Sequence, residues 1–106
     1  MSNKNGVKVK YYLNGNKSNE YKHKNGKPDG VWTTWYKDGT KNSEEHYKDG
    51  MLDGVSIFWN EYGTMKSKQY YKDGSKTGVW SKWYKNGTKF LELLFRADEI
   101  VEVLYE

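Results

Sequence analysis

At 106 residues and 12.5 kDa, the chain has room for one domain or one short repeat array. Leu, Ile, Val and Phe make up only 18 residues, too few for a thick core, yet aromatics reach 17% and the net charge is only +4, which argues against a disordered chain. No run of about 18 apolar residues is present to cross a membrane as a helix, and Met1 to Lys10 holds no secretory apolar stretch, so a cytoplasmic protein is expected; the lack of cysteine excludes disulfides and thiolate chemistry and leaves the redox compartment open.

All eleven glycines fall on a lattice of period 24: Gly6, Gly30, Gly54 and Gly78; Gly15, Gly39, Gly63 and Gly87; Gly26, Gly50 and Gly74. Val7, Val31, Val55, Val79 and Val103 keep the same spacing, as do Tyr11, Trp35, Trp59 and Trp83. His23 leads into a third column of Tyr47, Tyr71 and Phe95. This is an internal repeat of four copies at 7–30, 31–54, 55–78 and 79–102, all within one domain, 1–106.

In each copy the order is strand, tight turn, strand, wider turn. Nine glycines follow Asn or Asp, as in Asn14-Gly15 and Asp38-Gly39, and such pairs supply the positive φ angles of type I′ hairpins. The tight turns are placed at Gly15, Gly39, Gly63 and Gly87, and the wider ones at 26–30, 50–54 and 74–78. The segments between are rich in Val, Trp, Tyr and Thr and lack a helical period. Alternation through 31–36 sends Val31, Thr33 and Trp35 to one face and Trp32, Thr34 and Tyr36 to the other.

From Phe90 onward the composition changes. Before it 17 lysines face 9 acids; after it Arg96 faces 5 acids, aliphatics multiply, and Asp98 stands where the lattice expects glycine. This end reads as a cap for an open array, with a closing strand at about 99–105. The expected fold is all-β: one elongated, twisted antiparallel meander of about nine strands, spanning on the order of 40 Å at ~4.8 Å per strand.

The strings VWTTWYKDG (31–39) and VWSKWYKNG (79–87), each followed by a polar strand and, in copies two and three, by YKDG at 47–50 or 71–74, resemble the MORN repeats in their bacterial variant. The resemblance covers about 7–97 and implies stacked hairpins in one sheet. It also points to an antitoxin-like family, while eukaryotic relatives suggest phospholipid attachment or scaffolding. Copy one departs at Lys8 and Tyr11, and copy three at Ser56 and Asn60, where Trp and Tyr are expected.

No converging catalytic set is visible, and neither an enzyme nor a cofactor is expected. His23 and His46 have no ligand-spaced partners, and Glu44-Glu45 points to opposite faces. GSKTG at 74–78 lacks the spacing of a phosphate loop. Residues that recur in every copy, such as the Val and Trp35 columns, serve the stacking. Large side chains opposite the Val column are the candidates for binding a partner: Trp32, Tyr36, Phe58, Trp80 and Tyr84. On this view truncating Trp59 is far more destabilising than truncating Trp32 or Trp80. The resulting expectation is a non-catalytic protein-binding module, of antitoxin or immunity-inhibitor type, with an acidic toxin or effector surface as partner. The lysine surplus leaves association with anionic membrane or nucleic acid as the alternative, although one arginine is low for nucleic acid. An exported surface-repeat protein is a third.

Overall fold

The computed structural model describes residues 5–106, and within them every regular element is a strand. In chain order these are β1 (Gly6–Tyr11), β2 (Lys17–Lys24), β3 (Lys27–Trp35), β4 (Lys41–Lys48), β5 (Met51–Trp59), β6 (Met65–Lys72), β7 (Ser75–Trp83), β8 (Lys89–Arg96) and β9 (Glu99–Tyr105). They form one open antiparallel sheet in sequence order, the expected meander. Its Cα extents of 50 × 32 × 11 Å describe a single layer, with no second layer among the described residues.

The two margins of the sheet are built from different turns, and here the expected turn chemistry is corrected. At the tight turns only the glycine takes a positive φ, near 90° at Gly15, Gly39, Gly63 and Gly87. The Gly15 amide donates to the Tyr12 carbonyl (3.0 Å) and the Tyr12 amide to the Asn16 carbonyl (2.8 Å), and the other three tight turns repeat both bonds. This is a type I turn closed by a glycine bulge, not type I′. The type I′ pairs lie at the opposite margin: Asn25-Gly26, Asp49-Gly50 and Asp73-Gly74, each with two successive positive φ angles. The segments 26–30, 50–54 and 74–78 are therefore mostly strand, not wide loops. The Asp98 position is corrected likewise. Ala97 (φ 48°) and Asp98 (φ 69°) keep the same two-residue turn without glycine, because Asp tolerates the left-handed region. The Asp98 amide donates to the Lys76 carbonyl (3.0 Å), as Gly50 and Gly74 do to Pro28 and Leu52.

Gly30, Gly54 and Gly78 sit inside strands at bulges. Between β4 and β5, Glu45 faces Ser56 and Tyr47 faces Leu52, so His46 lies opposite three residues, Asp53 to Val55. Gly54 takes φ 114° there, and a Cβ on it would approach His46 Cβ at 3.3 Å. Such bulges sharpen the twist of the sheet.

Paired residues share a face, so the register settles the two sides. One, the valine face, carries Val31, Val55, Val79, Trp35, Trp59 and Trp83; the other, the aromatic face, carries Tyr21, Trp32, Tyr47, Phe58, Tyr71, Trp80 and Phe95. Glu44 pairs on the valine face and Glu45 on the aromatic face. A one-layer sheet buries little: Phe95 at 8% exposure is the buried apolar residue among those described, and Ser56 at 0% is the most enclosed side chain. His23 is buried rather than solvated, and His46 binds the Val55 carbonyl through Nδ1 at 2.9 Å. β9 does not finish the array with a polar edge. Ile100, Val101, Val103, Leu104 and Tyr105 are all exposed.

Gly54→Ala should destabilise the fold by about 2–3 kcal/mol, since positive φ and a crowded Cβ act together. Gly63→Ala, at φ 89° with open space around it, should cost about 1 kcal/mol. Urea denaturation midpoints of the two variants check the order.

Candidate functional site

The aromatic face is assembled from two clusters. In the first, the Trp32 ring stacks on Tyr21 (centroids 4.1 Å, 18° between planes) and meets Tyr47 at 5.7 Å. Trp32 Nε1–H donates to Asn19 Oδ1 (2.8 Å), which fixes the indole. In the second, Trp80 lies 5.3 Å from Tyr71 and 4.6 Å from Phe95, and its Nε1–H donates to the Tyr70 carbonyl (3.1 Å). The Lys76 ammonium sits over both Trp80 (5.0 Å) and Phe95 (5.5 Å).

Between the clusters the repeat is broken: Ser56 occupies the column of Trp32 and Trp80. The space a ring would fill there leaves room for Glu45, half-buried and paired across the strands with both Trp32 and Ser56. Burial pushes its carboxyl above the usual glutamate range, and a long bond from Ser56 Oγ–H (3.4 Å) offsets part of that. The phenols of Tyr47 and Tyr71 are likewise raised, first by burial and then by the charge of Glu45.

The valine face is electrostatically different. It holds all three ion pairs among the described residues: Lys17–Glu20, Lys41–Glu44 and Lys89–Glu92. Two of these lysines lie over a tryptophan of the following hairpin, Lys17 over Trp35 and Lys41 over Trp59, while Lys89 covers Trp83 of its own. Lys22, Lys48, Lys68 and Lys72 share this face by register and have no carboxylate partner among the described ion pairs. On the aromatic face the paired positions carry Lys8, Lys10, Lys76 and Lys82 against the single carboxylate Glu45.

Trp32, Phe58 and Trp80 therefore share one face but belong to strands β3, β5 and β7 and do not touch. Tyr36 and Tyr84 lie at its tight-turn margin. The Tyr36 hydroxyl donates to the Trp59 carbonyl (2.7 Å) as Tyr12 does to Trp35 (2.6 Å), whereas Tyr84 is 56% exposed and packs on Phe90 at 4.5 Å. Sequence reasoning missed Tyr21, Tyr47, Tyr71, Phe95 and Glu45 as members of this face. Their positions follow from strand pairing, and the Tyr47 column was the available signal. Trp32 and Trp80 are also as half-buried as Trp35, Trp59 and Trp83, so the expected stability contrast between the two sets loses its basis. Among the described residues no three His, Cys, Asp or Glu side chains group as metal ligands.

Residues 28–49 match a family model described as a MORN repeat variant. The match begins in β3, crosses the tight turn and ends after β4, one hairpin of the four. No curated protein and no solved structure matches the chain.

Two outcomes are expected. Trp32→Ala and Trp59→Ala should each cost roughly 2–4 kcal/mol in denaturant titrations, since each removes a half-buried ring with packed neighbours. Glu45→Gln should stabilise the protein at pH 7. The folded carboxyl binds its proton more tightly than the unfolded one, so wild-type stability falls as pH rises past the ordinary value of 4.5, and the variant should escape that fall. Urea midpoints at pH 4 and pH 7 read it.

Proposed function

We propose that the chain is a non-catalytic protein-binding module that applies its aromatic face to an acidic protein surface. The observation that carries this is the pair of ring clusters on the aromatic face, Tyr21–Trp32–Tyr47 and Tyr71–Trp80–Phe95, flanked on the same face by Lys8, Lys10, Lys76 and Lys82 against the one carboxylate Glu45. Rings of this kind with a cationic surround are what interface hot spots are made of. A broad face on a thin sheet suits occlusion better than catalysis, so the biological role we assign is inhibition of a toxin or effector by covering its working surface. The match of 28–49 to a repeat variant agrees with a repeat module and leaves the partner to experiment.

Charge reversal separates the faces without touching the rings. Lys8→Glu, Lys10→Glu and Lys82→Glu together should weaken binding to a purified acidic partner at least tenfold and flatten its salt dependence. Lys22→Glu with Lys48→Glu, on the valine face, should leave affinity within about twofold. Equal losses from both sets would overturn the assignment of the face. Retention of the wild-type chain on anionic vesicles or single-stranded DNA in about 150 mM salt, with no protein partner bound, would move the reading to a polyanion-binding module.

A further inference from the structure

The tight-turn margin of the aromatic face contains one break in its repeat. Tyr12 and Tyr36 each extend to the next hairpin and donate a hydroxyl proton to the carbonyl of the tryptophan 23 residues on, Trp35 and Trp59. The next residue in this column is Asn60, and its matching carbonyl is that of Trp83. The backbone at Asn60 is unchanged. Its amide donates to Thr64 O (2.9 Å) and its carbonyl accepts from Gly63 (3.0 Å), as in the other three turns. The side chain differs: Asn60 folds back onto its own turn, with Oδ1 accepting from the Tyr62 amide (2.9 Å) and Nδ2 donating to Thr64 Oγ1.

A groove of about 440 Å³ opens at this place, lined by Tyr36, Asn60, Lys66, Trp83, Tyr84 and the flanking Glu61 and Lys85. That volume falls within the range of ligand sites. It has ring walls in Tyr36 and Tyr84, and its lining includes Trp83, whose carbonyl occupies the register of the two that accept tyrosine hydroxyls. We infer that this groove is a subsite for a tyrosine side chain of the partner protein, which enters where the repeat lacks its own and donates its hydroxyl to the Trp83 carbonyl. The chain supplies the template for its ligand, since Tyr12 and Tyr36 show which group fits between successive tight turns. Lys66 and Lys85 at the groove favour a tyrosine set among acidic neighbours. The inference rests on the protein-binding reading above, but its test does not need the partner.

The probes are N-acetyl-tyrosinamide and N-acetyl-phenylalaninamide, titrated into the millimolar range against the isotope-labelled chain and followed by amide and indole chemical shifts. The tyrosine probe should give saturable shifts at Lys66, Trp83, Tyr84 and Lys85, and should bind about fivefold more tightly than the phenylalanine probe, the worth of one hydrogen bond. Asn60→Tyr should abolish the shifts and raise the melting temperature by filling the groove from within. Asn60→Ser, which leaves the groove open, should retain binding. Absence of saturable shifts, equal affinity for the two probes, binding that survives Asn60→Tyr, or an Asn60→Tyr chain that fails to fold would each overturn the subsite. A negative result with these probes together with the charge-reversal losses above would leave the binding face in place and remove only the tyrosine subsite.

Discussion

Every described side chain in this protein is covered, if at all, by the strand beside it. With a sheet one layer thick, no opposing helix or second sheet removes apolar surface from water, so burial must come from lateral contact between neighbours on the same face. This explains the composition. An aliphatic side chain covers only its direct cross-strand partner, whereas an indole or phenol lying along the sheet covers more, as Tyr21 stacks on Trp32 and Trp80 reaches the diagonal Phe95. Serines are enclosed by the same lateral cover: Ser43, Ser56, Ser67 and Ser81 are all buried although nothing lies above the sheet among the described residues.

The same constraint ties the stacking residues to the proposed binding residues. On a thicker protein a hot-spot tryptophan stands on a core made of other residues. Here the rings of the aromatic face are the packing of one side of the sheet and, on the proposed reading, also the surface that meets a partner. The break at Ser56 lets a carboxylate settle between two aromatic clusters, and the break at Asn60 puts a side chain without a phenol into the lining of a groove at the margin. Departures from the repeat are where this face acquires chemistry that its regular positions lack.

Much of the fold was legible because the glycine and valine columns share one period: strand number, meander order and the opposite placement of Val31 and Trp32 all follow from it. The turn types were not legible. Asn-Gly and Asp-Gly occur at both margins, and only the φ of the preceding residue, positive at Asn25 and not at Asn14, distinguishes a type I′ pair from a type I turn with a bulge. Nor could Gly30 and Gly54 be told from loop glycines, because a bulge is a property of two strands together. The five candidate residues were placed on one side by alternation alone, but their neighbours Tyr21, Tyr47 and Glu45 come from other strands and required the register. Asp98 shows the converse limit, a turn kept after its glycine was lost.

The unequal margins have a mechanical consequence. Successive hairpins are joined covalently at the margin of two-residue turns, where the amides of Gly50, Gly74 and Asp98 also bond back to the first strand of the hairpin that each follows. At the opposite margin no peptide bond crosses a seam, and only side chains hold adjacent tight turns together. Two of those seams are latched by tyrosine hydroxyls at 2.6 and 2.7 Å, while the third, between β6 and β7, has a threonine hydroxyl on Lys85 O at 3.2 Å. The sheet is thus a fan pivoted along one edge, and the blades formed by the last two hairpins are the pair whose free ends part with least resistance.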